Sequence, residues 1–592
     1  MAMGLTADRR TAVAAAVELE EGSESAAQPR SFPTRGNLGL FVVVATARWL
    51  FASDRRLFQI SPDEPSTLAM ARWLAGGTRW DMFDNTTWRP GLATLMAPLM
   101  WVVNDQTMQY RLGLALGAAM GGLAAVVLSQ LVLRLTTLSP RSALLASGAV
   151  ALSPASLSAS AHLWAEPLVT LTFLLTLLML MRFFDQPRLG IGVAAVGWAV
   201  VGYTCHGRLL PLAIGAGLAT AGKLALDRRW RDSAILLFVA ISTTAASGWY
   251  ASLFVEALWV DPNNRNTVGA VLRRITDPGD IAAAAVGQVW YLLISTFGLF
   301  GIGFVEMTRR ALARSGTLER SDARVVMAMT LPLFGLSILF MSGRDRVDHL
   351  IYGRYNDAVI WPILIVGLSW LVARSAVAWR SFDRHSVWVL GGVISVMLET
   401  GLLVYVLHRD RLAGSTGIVE MTAGLLPLLP DLYGTPVLLM SGVSVGVLLV
   451  VMGVLRQSRS QGLWIALTAC GLVFGGLRAH NLLGDNLNFA QESTSVSDVS
   501  LELLPTGSTV VFGLVPEQFG PEVPTATQNY YAHLYQWYLP DTTFRVTSIG
   551  DYPENGWVFA PTRDPILVGR GATLVWHDPG VDIGLWRTTV GP

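Results

Sequence analysis

About thirteen apolar stretches divide this chain, beginning near Leu38, Tyr110, Ser142, Pro167, Ile191, Leu209, Ser233, Ile281, Val325, Ala358, Ser386, Thr435 and Gly462. Each approaches the roughly 20 residues that span a bilayer as a helix. Lipid offers no partners to backbone N–H and C=O groups, so such runs must fold as helices packed on one another. The third, interrupted by Pro154, is the weakest. Composition agrees: of 592 residues, 52% are hydrophobic and 14% charged, against roughly 25% charged in a soluble domain. A net charge of +1 excludes a polybasic nucleic-acid binder and an acidic tail protein. The two cysteines, Cys205 and Cys470, lie far apart in apolar runs, which argues against a disulfide framework or a Cys-based metal centre.

Arginine placement predicts the orientation. With the amino terminus in the cytosol, six short basic loops fall on that side: Arg134/Arg141, Arg182/Arg188, Lys223/Arg228/Arg229/Arg231, Arg309/Arg310/Arg314/Arg320/Arg324, Arg374/Arg380/Arg384 and Arg456/Arg459. Residues 1–36 are polar, rich in Ala, Ser and Glu, lack a signal peptide and are expected to be a disordered cytosolic tail. A membrane domain is expected over 37–482, with a long first outer loop over 55–108. Residues 483–592 then form a small extracytoplasmic α/β domain. Its predicted strands are Ser508–Leu514, Gly556–Ala560 and Thr573–His577, and its helix is Thr525–Tyr538. The tyrosines and tryptophan of that helix (Tyr530, Tyr531, Tyr535, Trp537, Tyr538) suit a packed core better than a glycan-stacking face.

The first outer loop carries the densest motif, Ser61-Pro62-Asp63-Glu64-Pro65, running on to Ala71-Arg72 and Gly76-Gly77. Ser61 and Glu64 alone match a capping box. Pro65, however, restricts Glu64 to non-helical angles, so a helix is predicted to start at Pro65 behind a rigid acidic turn. The loop continues through Trp88-Arg89-Pro90-Gly91 into an amphipathic stretch, Leu92–Val103.

This order of motifs resembles the GT-C glycosyltransferases, in particular the superfamily of protein O-mannosyltransferases and lipid A aminoarabinose transferases. The resemblance is clear over residues 38–210 and looser to about 370. Two departures stand out: the family's tyrosine after the acid pair is absent, with Leu68 nearby, and its double proline is Pro90-Gly91.

The resemblance implies an inverting glycosyltransferase that moves a sugar from a polyprenyl-phosphate carrier to an acceptor hydroxyl on a cell-envelope glycan, lipid or protein. Asp63 would be the base and Glu64 its orienting or sugar-binding neighbour. In the second outer loop, Glu166, with His162, would position sugar, acceptor or a divalent ion, although Glu166 beside Pro167 also suits helix capping. The resemblance requires no cofactor, and is compatible with a divalent cation, magnesium or manganese, held by Asp63, Glu166 and the phosphate. Arg208, assisted by His206, and Arg354, with Tyr355 lining the sugar pocket, would bind the donor phosphate. The single lysine, Lys223, falls on the cytosolic side, so phosphate binding outside rests on arginine, whose forked donors suit it. Arg265, Arg273 and Arg274 are weaker candidates, and Glu399, inside the eleventh span, is a costly intramembrane acid.

The arginine bias suggests a GC-rich, actinobacterial type of genome, for which mannose or arabinofuranose would be the natural sugars. Two other readings use many spans. A lipid-sugar flippase or transporter would place its charges near the midplane in repeated halves, and no repeat is visible. A polysaccharide polymerase or ligase would share the donor logic with a pyrophosphate-linked lipid.

Overall fold

A computed structural model describes residues 34–58, 63–82, 89–259, 274–313, 318–343, 346–376, 384–412, 419–429, 434–455, 475–477, 503–505, 507–514, 525–539, 541–548, 550–578 and 582–589. The fold is a helical bundle carrying a small five-stranded sheet near its carboxyl end. Seven described helices are long and apolar enough to cross a membrane, or nine if each of two bent pairs counts as one span. The count expected from sequence was higher. Three of the expected runs form helices outside that set: α1 (Thr34–Ala52), α5 (Pro140–Ala151), which ends before Pro154, and α7 (Leu189–Cys205). The expected span at Gly462 lies outside the described residues.

Between α1 and the long α4 (Gln106–Leu135) the chain makes two short helices, α2 (Asp63–Leu74) and α3 (Gly91–Val102). Helix α2 starts two residues earlier than predicted, so Asp63 and Glu64 form its first turn. The first four N–H groups of a helix have no intrahelical acceptor, and Pro65 therefore fits there without losing a bond. Gly76, at φ 81°, ends the helix, and the Gly77 N–H returns to the Arg72 carbonyl at 2.9 Å, a left-handed stop that glycine favours.

The bundle continues through α6 (Glu166–Asp185), α8 (Leu210–Leu226), α9 (Trp230–Leu258), α10 (Pro278–Ser295), α11 (Leu299–Leu312), α12 (Leu318–Met341), α13 (Trp361–Ala376), α14 (Arg384–Leu412) and α15 (Val437–Leu455). Helices α10 and α11 are bent by 108° across Phe297 and Gly298, both at positive φ. Helix α11 then lies tightly on α13: a Cβ on Gly303 would collide with the Ile363 carbonyl, and one on Gly367 with the Leu299 carbonyl. Small residues at such crossings let helix backbones approach closely.

The carboxyl-terminal sheet has the order β2-β1-β3-β5-β4, with strands β1 (Thr509–Leu514), β2 (Thr543–Ser548), β3 (Gly556–Ala560), β4 (Thr573–His577) and β5 (Gly584–Thr588). Strand β1 pairs parallel with β2 and β3, and β5 pairs antiparallel with β3 and β4. Helix α16 (Thr525–Tyr538) packs on it with Tyr535 and Trp537 buried, so these two rings are core. The side chains of Tyr530 and Tyr531 lie outside the described residues.

Candidate active site

Both loops that the sequence singled out, together with residues 346–360, meet at the end of the bundle that carries the sheet. Arg354 stands at the centre. Its Nε donates to Glu166 Oε1 at 2.6 Å and its Nη2 to Oε2 at 3.3 Å, while Nη1 donates to Asp63. The guanidinium lies 3.8 Å from the centre of the Trp164 ring. A planar fork that holds two carboxylates and stacks on an indole is arginine chemistry that lysine could not reproduce. Glu166 is the first residue of α6, immediately before Pro167; the helix has no side-chain cap, and the Glu166 carboxylate is turned to Arg354 instead. Asp63 is the more open acid, its side chain 21% exposed against 4% for Glu166.

Glu64 turns the other way. It is fully buried and accepts from the Tyr110 hydroxyl and the Leu163 N–H, each at 2.7 Å. His162 Nδ1 lies 3.6 Å from it, and the His162 ring stacks on Trp164 at 4.3 Å. Glu64 and His162 therefore form the floor that ties α2 to the second loop, one layer behind Asp63.

Beside this ionic cluster lies a group of cations with spare donors. Arg208 sits 3.9 Å from Glu166 and 4.3 Å above the Tyr355 ring, yet none of its three guanidinium nitrogens has a hydrogen-bond partner among the described residues. Arg89, which the sequence reading passed over as part of a proline motif, donates to the Tyr203 hydroxyl at 2.6 Å. Its Nε and Nη1 are buried without a partner among the described residues. The approach of its loop requires Gly91, where a side chain would come within 2.8 Å of the Cys205 backbone. His206 completes the group, with its ring edge-on to Tyr355 at 5.2 Å. Burial first, then the charges of Arg208, Arg354 and Arg89, push its pKa well below the ordinary imidazole value. The neutral ring accepts the Arg208 N–H at Nδ1, 3.3 Å away, which leaves the proton on Nε2 as a donor. Buried donors left unpaired cost free energy; several of them converging on one spot mark a place for an anion.

Two cavities adjoin the cluster and share Asp357 and Trp361 in their walls. The smaller, about 30 Å³, is lined by Arg48, Glu166 and Arg354. The larger, about 280 Å³, runs down one stripe of α13 through Leu364, Leu368 and Leu371, faced by Val150, Leu299 and Val451. Its head is polar, with Asp357 accepting from the Tyr291 hydroxyl at 2.7 Å, and its length is apolar.

Other expected residues fall away from the site. Arg274 donates to the Phe340 and Leu339 carbonyls at the end of α12, a helix-capping role, and Arg265 and Arg273 lie outside the described residues. Glu399 faces outward from α14 and is exposed. The pair expected to hold a divalent ion, Asp63 and Glu166, is bridged by Arg354. Among the described residues no three His, Cys, Asp or Glu side chains gather as metal ligands, so the residues present do not form a resident cation site.

No protein-family profile matches the chain, and no curated protein matches it in sequence. Among solved structures it is similar to ArnT from Cupriavidus metallidurans bound to undecaprenyl phosphate, at 16% identity and a TM-score of 0.54, covering 94% of this chain and 98% of that one. The apo state of the same protein gives 15% identity and a TM-score of 0.52, covering 94% and 99%. The likeness extends over nearly the whole of both chains and gives this protein the GT-C fold.

Proposed function

We propose that the protein is a membrane glycosyltransferase that moves a sugar from a polyprenyl-phosphate donor to an acceptor hydroxyl, with inversion. The observation that carries this reading is the set of unpaired donors on Arg89 and Arg208, with Arg208 near enough to Asp357, at the head of a long apolar cavity, for its charge to act there. That combination fits an amphiphile with an anionic head and a hydrocarbon tail. The similar ArnT structure, which holds undecaprenyl phosphate, supports the same ligand class here.

In this reading the phosphate is gripped by Arg89, Arg208 and the Nε2–H of His206, with the tail along α13. A phosphate arriving beside Arg354 competes with Asp63 for its guanidinium and frees that carboxylate. Asp63 then takes the proton of the acceptor hydroxyl while the acceptor oxygen bonds to the anomeric carbon. The bond from that carbon to the phosphate oxygen breaks, and the lipid phosphate leaves with the electron pair. The leaving group is already a stable anion, so the site needs cations and one base, and no strong acid. Glu166 keeps Arg354 in place, and Tyr355, against His206 and Arg208, lines the sugar side.

The orientation that puts this chemistry outside the cytosol is supported by the opposite end of the bundle. There Arg134 pairs with Asp185 at 2.6 Å and Asp322 at 2.8 Å, and Arg310 donates to the Leu135 carbonyl at 2.6 Å, so the basic loops gather at one face.

The deciding experiment screens radiolabelled lipid-linked sugars, mannose and arabinofuranose first, with purified protein and envelope glycan, lipid and protein acceptors. Asp63→Asn should lower transfer by about 10²–10⁴-fold, the usual worth of a positioned base, with lipid-phosphate binding retained. Full turnover in that variant would remove Asp63 from the role.

A further inference from the structure

The sheet domain is joined to the loop that carries Asp63 at two places, and each attachment is specific. Residues 79–81 run alongside the free edge of β2. The Asp81 N–H donates to the Phe544 carbonyl at 3.1 Å and the Phe544 N–H to the Arg79 carbonyl at 3.3 Å, a parallel bridge centred on Trp80 and Phe544. The loop thus adds a short extra strand to the sheet, the main-chain pairing by which exposed edges capture peptides. Asp81 secures it, with its buried carboxylate accepting from the Val546 N–H at 3.3 Å and from Arg79 at 2.9 Å. Gln536 of α16, fully buried, donates to the Asp81 carbonyl at 2.9 Å. The next residue, Met82, donates to the Leu258 carbonyl at the end of α9 at 2.7 Å.

The second attachment is Trp537. Its ring meets Phe58 edge-on at 6.1 Å and Tyr110 edge-on at 6.2 Å. Phe58 precedes the acidic turn by five residues, and Tyr110 is the residue whose hydroxyl holds Glu64. An indole from the far end of the chain therefore packs between the entry to that turn and the group that anchors its second carboxylate.

We propose that the sheet domain is a clamp that fixes the acidic turn, with Trp537 and Asp81 as positioning residues. Trp537 acts through Tyr110 on Glu64, and so on Asp63; Asp81 acts by pinning the far limb of the same loop to β2. The clamp rests on the glycosyltransferase reading only for its effect on turnover. Its effect on the turn itself is measurable without any reaction.

The test uses the full-length protein in detergent micelles and compares Trp537→Ala, Trp537→Phe and Asp81→Asn with the parent. Amide exchange across residues 63–74 should quicken by about tenfold in Trp537→Ala and Asp81→Asn, the signature of a local opening that no longer shares the fold's full stability. Trp537→Phe, which keeps a ring in the gap, should restore most of the protection. Binding of undecaprenyl phosphate should stay within about threefold of the parent in all variants, since Arg89 and Arg208 are untouched. Where a donor from the screen turns over, kcat should fall with that loosening and donor affinity should not. If Trp537→Ala fails to fold, Tyr110→Phe, which removes only the hydroxyl on Glu64, should loosen the same residues. Parent-like exchange over 63–74 in a folded Trp537→Ala or Tyr110→Phe variant would overturn the clamp, and so would a parallel loss of lipid-phosphate binding. If no sugar donor is ever turned over, the exchange result still decides the clamp, and only the catalytic reading falls.

Discussion

Replacing Arg208 with methionine should leave the free protein about as stable as the parent while removing much of its grip on a lipid phosphate. The two halves of that expectation follow from different contacts. In the free protein the Arg208 guanidinium makes no hydrogen bond among the described residues. It gains from a ring contact with Tyr355 at 4.3 Å and from Glu166 at 3.9 Å. The ring contact is worth about 0.5–2 kcal/mol. Glu166 already has a bidentate partner in Arg354, so the second cation adds little. Against these gains stands the cost of burying unpaired donors, about 1–3 kcal/mol. The terms nearly cancel, and methionine fills similar volume along the same path. With phosphate bound the balance reverses, because each charge-assisted bond is worth about 1.5–3 kcal/mol. Losing one such bond weakens binding about 10–150-fold. The assay is thermal unfolding in detergent with and without undecaprenyl phosphate, together with direct titration of the lipid. The parent should show a ligand-induced rise in midpoint that follows the saturation law, and Arg208→Met should lose most of it. A variant destabilised by more than about 3 kcal/mol with unchanged lipid binding would make Arg208 a structural counter-ion and refute the reasoning.

Glu166→Ala should behave in the opposite sense: it strips Arg354 of its bidentate partner in a buried site and should cost about 3–5 kcal/mol. Pairing Glu166→Gln with Arg354→Met should recover part of that stability, read as the midpoint of thermal unfolding, while transfer stays lost. In the sheet domain, burial holds the His533 pKa down at about 4. Its unfolded value is roughly 6.5, so the unfolded state binds the extra proton first as pH falls. Stability of the sheet should therefore be full above about pH 6.5 and decline toward pH 4, by up to about 3 kcal/mol. His533→Leu should flatten that decline in a pH series of unfolding curves.

The parts of this site that could be read in the sequence are those whose chemistry is local. An acid pair beside a proline, an acid opening an apolar helix, and an arginine preceding a span each signal themselves within a few residues. Asp63, Glu166, Arg208 and Arg354 were legible for that reason, and the structure brings them together. Arg89 was not, because it was read only as part of the Arg89-Pro90-Gly91 segment that leads into the next amphipathic stretch. The signal that could have found it is compositional: in a chain with one lysine, an arginine next to a helix start in the first long loop is a rare cation. The burial of Glu64 was beyond reach, since it depends on Tyr110 and Leu163, which are 46 and 99 residues away. Strands β2 and β5 match β1, β3 and β4 in length, at five or six residues; they were missed because Arg545 and Arg587 interrupt the short apolar runs that marked β1, β3 and β4. The expected start of α2 at Pro65 gave way because proline tolerates the first turn, where its missing donor has no partner to lose.

The strand formed by residues 79–81 also has a consequence in time. Asp81 and its partner Val546 are 465 positions apart, so the loop is synthesised and delivered long before the sheet exists to receive it. Contacts of such range form late in folding. A chain interrupted between Arg354 and β2 would carry every arginine and carboxylate of the site and still lack the edge that seats them. Seating of the acidic turn therefore waits on the synthesis of β2. Products cut short there would have the acidic turn without the strand edge that seats it.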